Sequence, residues 1–261
     1  MVLGMMVFTR LILCLSLLVA PLMADPLDAP ARAKAQIHRL TESTALLGIT
    51  LTAKPGWHTY WSNPGDAGMA LSVTLADEAI QIDAEEFPTP TRFEKMGIVG
   101  YGYEGEATFL YYLSGPLPET LTGDARWLTC DENSCRPGHV EFALPLPALS
   151  TQAGEMGSEA PAWLMAAEAT QPTRLDAEPL SIEVQGKTCT IQFRSSQNLV
   201  GFAAYPAQEA LSEGRHSGII TAGAEENSYE IRLHLTGELP NTLGFIAKKG
   251  MQAYKLSFIQ Q

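Results

Sequence analysis

Short segments in which apolar and polar residues alternate run through most of the chain. Ala45, Leu47, Ile49 and Leu51 are separated by smaller or polar neighbours, and Leu71, Val73 and Leu75 by Ser72 and Thr74. This period of two predicts strands with one buried face. Phe109 to Leu113 is apolar at every position, as in a strand covered on both sides. Val140, Phe142 and Leu144 alternate up to Pro145 and Pro147, which cannot continue a central strand. The pattern restarts with Leu180, Ile182 and Val184. A Gly186-Lys187 turn then leads into Cys189, Ile191 and Phe193, and further strands follow at Ile231, Leu233 and Leu235 and at Tyr254, Leu256 and Phe258. Between the two halves, residues 148–160 lose the alternation. Pro161 to Ala169 has helix-forming composition, with proline in the first turn, and Gln171-Pro172 closes it. The pattern predicts an all-β protein of two sandwich-like domains, residues 27–149 and 172–261, joined by a linker over 150–171 that carries one short helix. One continuous β domain with a helical insertion is the alternative.

The first 24 residues follow another rule. Arg10 precedes the apolar run Leu11 to Ala20, which is short for a membrane span, and polar sequence begins at Asp25. This is the layout of a cleavable signal peptide over residues 1–24, although Leu22 is larger than the residue preferred near the cleavage site. A retained anchor is the competing reading. Cys14 raises lipidation, which the large Leu13 before it argues against. With no later apolar stretch of membrane-helix length, the mature chain is expected to be a soluble periplasmic protein with no membrane span. A formal net charge of -12 excludes nucleic acid as a natural partner, because phosphates are bound by Lys and Arg. The 22 Gly and 17 Pro lie between the apolar runs, as turns between short strands require.

Chemistry concentrates in Thr129-Cys130-Asp131-Glu132-Asn133-Ser134-Cys135-Arg136-Pro137-Gly138. Once Cys14 leaves with the signal, Cys130, Cys135 and Cys189 remain, and an odd number cannot all pair within one molecule. Cys189 shares the apolar face of its strand with Ile191 and Phe193 and reads as a small buried hydrophobe. Cys130 and Cys135 are therefore each other's partners, either as a permanent staple or as a redox couple. A bridge closing so short a loop contributes only about 2 kcal/mol through chain entropy, so it is poorly placed as a staple. Physical reasoning leaves both roles open. Asp131 and Glu132 follow Cys130, whereas Arg136 follows Cys135 with His139 nearby. Positive charge favours a thiolate, so Cys135 is the candidate nucleophile, or the sulfur attacked in the oxidised pair, and Cys130 the resolving thiol. Cys130, Cys135, His139 and His58 could alternatively bind Cu(I) or Zn(II), though their spacing fits no dedicated zinc pattern.

Further motifs accompany this loop: Gly56-Trp57-His58-Thr59-Tyr60-Trp61-Ser62-Asn63-Pro64-Gly65-Asp66-Ala67-Gly68, then Phe87 to Phe93, then Gly100-Tyr101-Gly102-Tyr103-Glu104-Gly105-Glu106. Over residues 45–145 the succession resembles the N-terminal periplasmic region of DsbD-type thiol:disulfide interchange proteins, in the branch of the copper-sensitivity suppressor reductases. The resemblance implies an immunoglobulin-like β-sandwich whose redox disulfide takes electrons from a thioredoxin-like protein and passes them to other thiol proteins. It makes Cys130 and Cys135 the redox pair, with the second cysteine the site of attack. The chain shows neither a multi-helix membrane conduit nor a thioredoxin Cys-x-x-Cys. The reductant is thus expected in a separate protein, a thioredoxin-like periplasmic protein or a membrane thiol reductase.

The aromatic motifs have readings of their own. In a strand, Trp57, Thr59 and Trp61 face one way and His58 and Tyr60 the other. Core packing before an Asn-Pro-Gly-Asp turn is the plain reading. In the functional reading some of these rings, or Tyr101 and Tyr103 on a glycine-freed cap, shield the disulfide. His58 is expected to be a hydrogen-bonded structural residue. The sequence thus leads to periplasmic thiol–disulfide exchange between Cys130 and Cys135, which needs no cofactor. The alternatives are a non-catalytic binding module with a structural disulfide and a periplasmic copper-handling protein.

Overall fold

A computed structural model describes residues 29–149, 160–213 and 218–259. The expected signal peptide and the stretch 150–159 of the expected linker lie outside them. Among the described residues no helix is long and apolar enough to cross a membrane.

The first sandwich comprises β1 (Ala31–Arg39), β2 (Thr44–Ala53), β3 (His58–Gly65), β4 (Ser72–Leu75), β5 (Gln81–Glu86), β6 (Thr91–Lys95), β7 (Ile98–Glu104), β8 (Glu106–Ser114), β9 (Thr120–Cys130) and β10 (Cys135–Pro145). One sheet runs β1-β2-β8-β5, and the other β10-β9-β3-β7-β6 with β4 also paired to β9. The alternation places Leu47, Ile49 and Leu51 of β2 and Phe109, Tyr111 and Leu113 of β8 inside, where they meet Trp61, Tyr101, Tyr103 and Trp127 of the facing sheet. Each such side chain contributes about 1.5–3 kcal/mol, so the packed rings, not the disulfide, dominate stability. The opposite face of β2 and β8 is apolar for a separate reason. Leu46 and Leu110 lie under Leu164 and Ala167 of α1 (Ala162–Glu168).

Strand β10 ends its sheet and, among the described residues, is hydrogen-bonded only to β9. Asp131 N–H donates to Ser134 O at 2.9 Å across the hairpin turn, and the register then alternates from Cys130 opposite Cys135 to Thr120 opposite Pro145. In an antiparallel pair this phase turns the backbone of Pro137 and Pro145 away from β9. Their missing N–H groups therefore cost the ladder nothing.

The second sandwich contains β11 (Thr173–Arg174), β12 (Ala177–Gln185), β13 (Thr188–Ser195), β14 (Ala203–Pro206), β15 (Leu211–Ser212), β16 (Thr221–Ala222), β17 (Ser228–Leu235), β18 (Thr242–Lys249) and β19 (Gln252–Ile259). Its sheets run β11-β19-β18-β14 and β12-β13-β17-β15, with β16 on β17. Cys189, Ile191 and Phe193 of β13 are completely buried. Strand β12 departs from the expected pattern, with Leu180 and Val184 exposed. It is an outer strand whose register slips between Pro179 and Ser181.

The two sandwiches touch. Tyr205 and Ile246 of the second pack into the core of the first. The Asn-Pro-Gly-Asp segment is not the free turn that its composition suggests. Asn63 is buried in β3 and donates from Nδ2 to Pro206 O at 2.8 Å and Gln208 O at 3.1 Å, while its Oδ1 accepts from Gly65 N–H. Glu86 pairs with both Arg174 and Lys255 across the same boundary.

Candidate functional site: a cysteine pair at a hairpin end

Cys130 ends β9 and Cys135 begins β10; they are disulfide-bonded with their Cα atoms 4.1 Å apart. The four residues between them form a loop held by Asp131. Its Oδ1 accepts from Asn133 N–H at 2.8 Å, Ser134 N–H at 2.7 Å and Ser134 Oγ at 3.2 Å. These backbone donors, with a smaller contribution from the Arg136 charge, hold the Asp131 carboxyl below the usual carboxylate range. The loop therefore presents a fixed negative charge beside Cys130.

The two cysteines differ in access. Cys130 is 2% exposed, whereas Cys135 is exposed. Cys130 lies directly opposite His58 of β3, so both side chains leave the same face of the sheet. That face points away from the core. It carries Tyr60, whose hydroxyl is 3.1 Å from His58 Nε2, and Phe93, whose ring centroid is 4.5 Å from that of His58. Phe93 is seated by its cross-strand neighbour Gly100, where a Cβ would fall 2.1 Å from the ring. Burial pushes the His58 imidazole below its ordinary value, against the opposing pull of Glu104 and Asp131, and raises the Tyr60 phenol. At neutral pH the cluster beside Cys130 is uncharged.

Beyond Phe93, Lys95 Nζ donates to Glu132 O at 3.1 Å and lies 3.6 Å from its carboxylate. Strand β6 thus reaches from the aromatic cluster to the cysteine loop.

Several side chains expected near the sulfurs lie elsewhere. Tyr101 and Tyr103 alternate with Gly100, Gly102 and Glu104, so they point from the opposite face of the sheet into the core. The Tyr101 hydroxyl donates to Glu213 Oε1 at 2.7 Å and the Tyr103 hydroxyl to Pro88 O at 2.8 Å. They form no mobile cap, and Gly102 serves a close approach to Thr59 O, not flexibility: a Cβ there would lie 2.0 Å from that oxygen. His139 is four residues along an extended strand from Cys135, about 13 Å away, with its Nε2 3.4 Å from Asp124 Oδ1. The donor set Cys130, Cys135, His139 and His58 is accordingly not assembled. Arg136 is exposed, and its side chain leaves the opposite face of β10 from Cys135. Sequence reasoning singled out neither Phe93 nor Lys95 as a neighbour of the site. The usable signal was the alternation Thr91, Phe93, Lys95 opposite a glycine.

Comparison with known proteins falls on this domain. Residues 24–147 match the family described as thiol:disulfide interchange protein DsbD, N-terminal. The first sandwich belongs to that family. Among solved structures, the N-terminal periplasmic domain of ScsB from Proteus mirabilis aligns over 91% of this chain and 96% of its own, with a TM-score of 0.64 and 19% identity. The two-sandwich fold therefore recurs there nearly in full. The DsbD N-terminal domain from Neisseria meningitidis, in its reduced form, aligns over 42% of this chain and 83% of its own, with a TM-score of 0.31 and 14% identity. No curated protein matches the sequence significantly.

Proposed function

We propose that the protein is a periplasmic thiol–disulfide exchange module in which Cys130 and Cys135 cycle between disulfide and dithiol. Residues 27–149 form the exchange domain, and residues 172–261 a second domain joined through 150–171. The observation that carries this reading is the asymmetric pair: an exposed and a buried cysteine bonded at a hairpin end, in a domain of the DsbD N-terminal family. A partner thiolate attacks Sγ of Cys135, the Cys130–Cys135 bond breaks, and Cys130 leaves as a thiolate that takes up a proton. A second partner thiol, deprotonated, then attacks the mixed disulfide. The partner departs oxidised, and Cys135 is left as a thiol. Two electrons and two protons have then moved onto the pair. The reverse sequence passes them to another oxidised protein. Thioredoxin-like proteins of the periplasm, or a separate membrane thiol reductase, suit this chemistry because they present an exposed thiolate.

Equilibration in glutathione or dithiothreitol redox buffers tests the reading. A potential in the range of exchange proteins, with oxidised protein reduced by a thioredoxin-like dithiol and no exchange in Cys135→Ala, is the expected result. A potential well below about -300 mV, typical of structural disulfides, would leave a permanent staple and overturn it.

A further inference from the structure

Strand β6 is gripped from one side by the second sandwich and covers the cysteine pair's surroundings from the other. Arg92 Nε donates to both carboxylate oxygens of Glu213 at 2.9 Å, and the same carboxylate accepts from the Tyr101 hydroxyl. The Glu213 side chain is only 7% exposed, and these partners belong to the first sandwich. Lys248 Nζ of β18 donates to Pro90 O at 2.8 Å, just before β6 begins. Successive side chains of a strand leave opposite faces. Arg92 therefore turns toward Glu213, whereas Phe93 turns toward His58, the residue opposite Cys130, and Lys95 reaches the loop at Glu132. The strand has five residues and lies at the sheet edge, paired only with β7 and joined to it through Met96 and Gly97 at φ 50° and 81°. An edge of that length has little hold of its own.

We infer that Glu213 and Lys248 of the second domain hold β6 closed beside Cys130, so that the second domain governs how readily the buried Cys130 sulfur is released when a thiol attacks the exposed Cys135. They are positioning residues, acting through Arg92 and the Pro90 carbonyl. The functional meaning of this control rests on the exchange reading above, but the rate of reduction can be measured without any partner protein.

The test uses the full chain in its oxidised form. The rate at which dithiothreitol reduces the Cys130–Cys135 bond is compared in wild type, Glu213→Gln and Lys248→Met, with alkylation of buried Cys189 as the reporter of general unfolding. Each variant is expected to react about tenfold faster, as weakening a charge-assisted contact would shift a local opening. Hydrogen exchange should accelerate in β6 and β7 while Cys189 stays protected. Wild-type rates in both variants would overturn the inference, as would acceleration that appears only together with Cys189 labelling. Lys248 is partly exposed, so its variant keeps the test open if Glu213→Gln folds poorly. The two readings fail separately. A grip-dependent rate with a potential of a structural disulfide keeps the clamp and removes exchange. An exchange-range potential with rates indifferent to both substitutions does the reverse.

Discussion

The two sandwiches each bury a cysteine in a strand, but one is a free thiol inside the core and the other is half of a disulfide on an outward sheet face. Cys189 sits on the inward face of β13 between Ile191 and Phe193, with no exposure, and desolvation raises its pKa. Cys130 is almost as inaccessible but lies on the outward face of its sheet, joined to an exposed partner at a hairpin end and opposite His58, whose ring meets Tyr60 and Phe93. Burial alone does not make a cysteine inert. The face of the sheet decides whether what covers the sulfur is permanent core or a small edge strand.

That comparison can be broken most severely through the second core. Phe193→Ala removes a ring packed on Tyr229, Phe245 and Phe258 and should cost about 3–5 kcal/mol by urea denaturation, with Cys189 becoming alkylatable at lower urea. Replacing both Cys130 and Cys135 by alanine should cost only about 2 kcal/mol, measured the same way. A loss as large as that of Phe193→Ala would make the bridge a main support of the fold, not a chemical group. Cys189→Ala should cost about 1 kcal/mol for the lost sulfur and leave the reduction rate of the disulfide at the wild-type value. Any change in that rate would couple the two thiols.

The smallest effect concerns pH. His58 has its folded value lowered by burial from 6.5, so below pH 6.5 the unfolded chain binds the proton first. Stability should fall as pH drops from that point toward the folded value. His58→Gln should flatten this part of the stability–pH curve, and an unchanged slope would show that other groups cause it.

Much of the fold was legible because alternation reports directly on faces. Leu47, Ile49, Leu51 and Cys189, Ile191, Phe193 all point as their spacing requires. What a helix from elsewhere in the chain covers was not legible: Leu46 and Leu110 are apolar because α1 returns to them from beyond residue 160. The disulfide pairing followed from counting cysteines, but its surroundings did not. Closeness in sequence brought His139 into the picture, although an extended strand carries it well away from Cys135. The glycines flanking Tyr101 suggested mobility, whereas parity along β7 sends both tyrosines into the core. Glu213 and Asn63 act across the two sandwiches, a relation that no local pattern encodes.

The prolines of β10 have a consequence for how other molecules approach. Pro137 stands two residues from Cys135 on an edge whose outward positions would otherwise offer an unbroken row of amide donors. A strand added alongside would find no amide donor at Pro137 or at Pro145, so its ladder would be interrupted close to Cys135. The interruption favours a visitor that meets the sulfur through side chains and loop atoms and can leave again without unpicking a ladder.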